Sequence, residues 1–160
     1  MRPSKNSQSE GVAVQPDGII KSPSVLCLLE AKRIKSNQFS VDQLAREYLL
    51  VTRDCGVRKP LLLLILSKPP PIHVASHGHK SIADAIQLRL AEVYAKVENH
   101  PLSLEQLTAR MEDSFAWITW GEMAQVVSGQ AKTFEGKSGS LEQTVVRLSN
   151  SFLDAVRRHG

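Results

Sequence analysis

Two short apolar runs, "VLCLLEAK" at 25–32 and "PLLLLIL" at 60–66, constrain this chain more than any other feature. Each is too short for a buried helix and too continuous for a strand with one wet face. Such runs suit strands covered on both sides. Between them, "SVDQLAREYLLV" (40–51) places apolar residues at 41, 44, 45, 48 and 51, the helical period. Strand, helix and strand in that order predict a crossover, which allows the two runs to lie parallel. Ahead of the first run, "GVAVQPDGII" (11–20) alternates, and "KSPS" (21–24) is a turn signal, so 11–20 and 25–32 are expected to form a hairpin. Pro16 confines the first of these strands to an edge or marks a bulge.

The remaining signals extend this pattern. Ser40 and Gln43 make an S-x-x-Q capping box, repeated at Ser103/Gln106 and Ser140/Gln143, with Thr119/Glu122 as its equivalent. Gly56 is the expected stop of the first helix. The prolines of "SKPPPIHVASHGHK" (67–80) predict a loop without regular structure. Helices are expected over 81–98, after Pro101, over 121–129, and from Ser140 to about Arg158. A strand is expected at 114–120 and a loop at 131–140. Residues 1–10 read as a flexible lead-in to a single domain at 11–160. The expected class is α/β, a mixed central sheet flanked by helices.

Composition sets the boundaries. The chain has 160 residues, 42% hydrophobic and 22% charged, an ordinary balance for a chain with a real core. Its net charge of +4 permits nucleic-acid binding without demanding it. Cys27 and Cys55 are too few for a disulfide framework, so a reducing cytoplasm is the expected compartment. No signal-peptide pattern is legible, and the longest apolar run, 61–66, is too short to cross a bilayer, so no membrane role is expected.

The chemistry sits at the end of the first apolar run. Side chains alternate along a strand, so Leu26, Leu28, Glu30 and Lys32 share a face. With a four-residue turn at 21–24, Ile20 faces Val25 and Asp17 faces Leu28. Asp17 then lies diagonally from Glu30 on one face, with the backbones about 7–8 Å apart. A one-residue slip would put Asp17 on the other face. Two carboxylates on one face suit a hard cation, Mg²⁺ or Mn²⁺. Lys32 projects to the same place, where an ammonium can orient a water or offset charge on a phosphate.

Pro16-Asp17 followed by Glu30-Ala31-Lys32 resembles the PD-(D/E)XK nuclease superfamily, over roughly residues 12–66. The helix "VDQLAREYLLV" and the strand "PLLLLIL" fill the places of the superfamily's next elements. The resemblance implies a restriction-endonuclease-like fold and metal-dependent hydrolysis of phosphodiester bonds, with DNA as the expected polymer. It implies Asp17, Glu30 and the Ala31 carbonyl as metal ligands, Lys32 as the catalytic lysine, and Gln43 on a helix position that lines the site. That superfamily usually carries a helix before the hairpin, often with another acid. Only Glu10 is available here, so a homodimer or a partner chain completing the fold is an expected partner besides nucleic acid. A nuclease-fold protein that no longer cuts, serving as a binding or assembly module, is the alternative.

Plainer readings stand beside these. Asp17 before Gly18 is a common turn pair. Glu30 and Lys32 make an ordinary ion pair at a strand end. Gln43 can serve the Ser40 cap alone. Arg33, Lys35 and Arg46 suit phosphates or a solvated face. His73, His77 and His79 fit no zinc spacing, and Trp117 and Trp120 read as packing residues.

Overall fold

The computed structural model describes residues 14–32, 38–134 and 139–159. The expected lead-in at 1–10, Arg33 and Lys35 lie outside them. The described strands are β1 (Gly18–Lys21), β2 (Val25–Ala31), β3 (Gln38–Phe39), β4 (Lys59–Leu66), β5 (Ile72–Val74), β6 (Gly78–Lys80) and β7 (Phe115–Thr119). The helices are α1 (Val41–Asp54), α2 (Ile82–Tyr94), α3 (Leu104–Arg110), α4 (Trp120–Lys132) and α5 (Ser140–His159).

The two apolar runs pair in parallel, from Val25 against Lys59 to Ala31 against Ile65. The β1 hairpin strand lies antiparallel on one side of β2, and β7 lies parallel on the far side of β4, giving the order β1-β2-β4-β7. The fold class is therefore α/β with a mixed sheet, and α1 is the crossover that its helical period predicted. Leu26, Leu28, Leu62, Leu64 and Leu66 turn one sheet face towards Leu44, Ala45, Tyr48 and Val51 of α1. With Ile82, Ile86, Leu90 and Val93 of α2 they form one buried cluster. The other face buries Cys27 and Ile65 but leaves Leu29, Leu61 and Leu63 half-buried. Glu30 follows Leu26 and Leu28 in the alternation, so it points into the helix-covered side.

Several expectations need correction. The hairpin register is Gly18–Leu29 through Lys21–Leu26, two residues from the expected Ile20–Val25 pairing. A slip of two leaves every side chain on its expected face. Among the described residues the first strand spans Gly18–Lys21, because Pro16 has no N–H to continue the ladder; residues 11–13 of the expected strand lie outside them. Residues 67–80 are not without regular structure. Their prolines end at Pro71, and beyond it the fully buried Ile72 and Val74 alternate with His73. A hairpin of β5 and β6 follows, joined to β3 in a second sheet. Its turn runs through Ser76 and Gly78 at positive φ. Helix α4 continues past the expected end at Gly129 to Lys132. The Ser103 and Thr119 capping boxes close fully, whereas α5 already includes Ser140, and the Gln143 N–H bonds to the Gly139 carbonyl.

Tyr48 ties α1 to α3: its hydroxyl donates to the Leu107 carbonyl at 2.6 Å in a buried setting. Tyr48→Phe removes this bond and is expected to cost about 0.5–1.5 kcal/mol. The measurement is a lowered urea midpoint at unchanged slope.

Candidate active site

The end of β2 is where the strand ladder stops and side chains take over. Continuing the β1–β2 register sets Asp17 opposite Glu30 and Pro16 opposite Ala31. Proline cannot donate to the Ala31 carbonyl. The Ala31 N–H, lacking a strand partner, donates instead to Asp17 Oδ2 at 2.8 Å. Asp17 thus stands at the exposed rim, bound to the backbone beside Glu30. Among the described contacts no hydrogen bond joins it to the network below.

Glu30 is 3% exposed, and its Oε1 accepts from Lys32 Nζ at 2.6 Å. A carboxylate buried this far is tolerable only when paired, and Lys32 supplies the pairing. Lys32 also donates to Gln43 Oε1 at 3.4 Å, and its ammonium lies 5.1 Å from the centroid of the Phe39 ring. That ring offers its negative face to the cation. The lysine backbone is held on both sides. Its N–H donates to the Ile65 carbonyl at 3.1 Å, and its own carbonyl accepts from Trp120 Nε1 at 2.8 Å. Three distant parts of the chain therefore fix one lysine.

Gln43 takes part in the Ser40 cap through its backbone alone and turns its side chain towards Lys32 and Glu47. The Ser40 hydroxyl accepts the Gln43 N–H at 3.4 Å, but the glutamine side chain does not close the capping box. Its oxygen faces Lys32, and its Nε2 donates to Glu47 Oε1 at 2.9 Å. Glu47, one turn further along α1, is wholly buried. Burial first, and then the charge of Glu30, push its carboxyl up to about 8, against the pull of Gln43 and Lys32. Glu30 Oε2 and Glu47 Oε2 are both buried, and neither meets a donor among the described protein groups. The two carboxyls are in side-chain contact, and a proton on Glu47 can be shared between them.

The structure thus brings Glu30, Lys32, Gln43 and Glu47 into one network and leaves Asp17 at its edge on the Ala31 N–H. Glu47, Phe39 and Trp120 were not singled out by the sequence as parts of the site. Glu47 had a signal: it stands four residues from Gln43 on the same helix face. Trp120 had none, lying 88 residues from Lys32.

Beside the network a groove of ≈ 380 Å³ is lined by Val14, Gln15, Ser40, Asp42, Gln43 and Arg46. Arg46 Nε is buried there without an acceptor among the described groups. The loop histidines behave differently. His73 and His79 face each other across β5–β6 with ring centroids 5.3 Å apart, and His77 Nδ1 lies 2.7 Å from the Ala75 carbonyl of its own turn. Trp117 is 39% exposed on β7, not a core residue. Among the described residues no group of three or more His, Cys, Asp or Glu side chains could hold a metal ion, and no helix is long and apolar enough to cross a membrane.

No family model, curated protein or solved structure matches the chain.

Proposed function

We propose that the chain is a metal-dependent nuclease of the PD-(D/E)XK type, with a restriction-endonuclease-like core, hydrolysing phosphodiester bonds in nucleic acid. DNA is the expected polymer. One observation carries the reading: a buried Glu30–Lys32 pair at the carboxyl end of two parallel strands, extended by Gln43. Sites in open α/β sheets form at such strand ends. The donor set is all oxygen, which fits Mg²⁺ or Mn²⁺. Glu30 Oε2 meets no protein donor among the described groups and is the oxygen left for a cation while Oε1 keeps Lys32. Asp17, held on the Ala31 N–H at the end of β2, and the Ala31 carbonyl are the other ligands that the resemblance implies. Two carboxylates suffice for Mg²⁺, which keeps several waters.

A bound cation would acidify an attacking water and offset phosphate charge. The net reaction adds water across one P–O ester bond, leaving a phosphate monoester and a hydroxyl. Lys32, a donor only while charged, cannot take the water's proton; it orients the water oxygen and stabilises the charge developing on phosphorus. Gln43 keeps the ammonium aimed. Arg46, lining the adjoining groove, is placed for a neighbouring phosphate of the polymer.

The test is cleavage of plasmid, single-stranded DNA and RNA with Mg²⁺ or Mn²⁺, beside Glu30→Gln and Lys32→Gln, each below its own unfolding midpoint. Loss of about 10²–10³-fold in rate in both variants is the expected result. Cutting that survives in both would place the chemistry elsewhere. A folded wild type that cuts none of these would favour the second reading, a non-cutting assembly module. The exposed Val126, Leu141 and Leu148 on α4 and α5 support that reading.

A further inference from the structure

Helix α1 presents a buried apolar stripe of Leu44, Tyr48 and Val51 to the sheet, and Glu47 lies within it. A leucine would fill that position at less cost, since a buried carboxyl needs partners that an alkyl group does not. Facing it is a second buried carboxylate, Glu30, on another element. Each acid spends Oε1 on a donor: Lys32 for Glu30 and Gln43 for Glu47. Each leaves Oε2 buried and without a protein donor. The two carboxyls lie in side-chain contact between the strand end and the helix, so both spare oxygens are within reach of one ion.

We propose that Glu47 is a cation ligand: its Oε2 and the Oε2 of Glu30 together hold one divalent hard cation, and Lys32 remains on Glu30 Oε1. This rests on the metal-dependent reading above and differs from it in one ligand: Glu47 of α1 joins Glu30 where the Asp17-Glu30-Ala31 set has Asp17, which stands at the exposed rim. The geometry has three consequences. The cation occupies the place of the proton that otherwise joins the two carboxyls. Lys32 keeps its place, because the cation uses the other oxygen of Glu30. Gln43, bonded to both Lys32 and Glu47, sets the distance between the ammonium and the cation. Waters and substrate oxygens complete the shell, as a hard cation on two carboxylates requires.

The structural alternative is a protonated Glu47 that only bridges to Glu30. Glu47→Gln separates the two, because an amide keeps the shape and can donate to Glu30 but cannot serve as an anionic ligand. The experiment is titration of the full chain with Mn²⁺, followed by the loss of the free-ion electron paramagnetic resonance signal. The rise in melting temperature with Mn²⁺ is measured alongside. We expect Glu47→Gln to fold and to weaken Mn²⁺ binding at least about tenfold, and to lose most of the Mn²⁺-induced rise. Glu47→Asp, which keeps the charge, should retain part of both. Wild-type Mn²⁺ affinity in Glu47→Gln overturns the proposal and leaves the nuclease reading standing on Asp17 and Glu30. Mn²⁺ binding that needs Glu47, in a chain that cuts nothing, upholds the site and sinks the nuclease. A wild type that binds no Mn²⁺ overturns both.

Discussion

Lys32→Met is expected to destabilise the chain by about 3–5 kcal/mol near neutral pH, the cost of leaving one member of a buried ion pair without the other. The Lys32 side chain is 19% exposed and that of Glu30 4%, so water does little to replace the ammonium. A methionine fits the same space, which isolates charge from volume. The loss spreads beyond the pair. Gln43 Oε1 loses a donor, and Glu47 loses one of the forces that favour its ionised form. Packing differs from charge in how it can be rescued. Adding Glu30→Gln to Lys32→Met removes the stranded carboxylate, and the double variant should recover most of the lost stability. Urea unfolding at pH 7.5 measures the wild type, Lys32→Met, Glu30→Gln and the double variant. Additive single-variant effects, with no rescue, would show that the 2.6 Å contact carries little stability.

What was legible in the sequence follows from how local each signal is. The two apolar runs and the periodic helix between them were enough for the parallel β2–β4 pair, because burial on both faces and a helical crossover leave few other arrangements. The shared face of Glu30 and Lys32 was legible because strand alternation survives an error of two in the register. That error has a local cause. The ladder begins at Lys21–Leu26, so Val25 spans the turn, where Ser22 and Val25 bond to each other, rather than pairing with Ile20. The β5–β6 hairpin was hidden by three prolines whose effect ends at Pro71.

The site's deeper half was less legible for a different reason. A glutamate in a helix is normally read as solvent-facing, and only α1 packing against the β2 end makes Glu47 a buried residue. The roles of Phe39 and Trp120 depend on contacts set by tertiary structure, the Lys32 ammonium over one ring and the Lys32 carbonyl on the other's indole N–H. Gln43 was ambiguous in sequence because the same spacing serves a cap and a site. Its backbone N–H serves the cap, and its side chain bonds to Lys32 and Glu47.

Glu47 also makes a prediction about pH. Its carboxyl is pushed up to about 8 in the folded chain, mainly by burial and then by Glu30, from an ordinary value of 4.5 in the unfolded chain. Below about pH 4 both states hold the proton, and Glu47 contributes nothing to pH dependence. Between the two values the unfolded chain releases the proton while the folded chain keeps it. The folded state then binds more protons, so stability falls as pH rises. Each pH unit in that window costs about 1.4 kcal/mol, and the slope vanishes above about pH 8. The charges facing Glu47 act in both directions: Glu30 opposes its ionisation, and Lys32 favours it. Glu47→Gln has no proton to lose and can still accept from Gln43 and donate to Glu30. It should unfold with a nearly flat pH profile from 5.5 to 8.5, and at pH 8 it should exceed the wild type by about 3–5 kcal/mol. Denaturant midpoints across that range decide the matter. Parallel profiles for wild type and variant would mean that Glu47 ionises as an ordinary surface glutamate does, and that the buried carboxyl pair on α1 and β2 is not protonated near neutral pH.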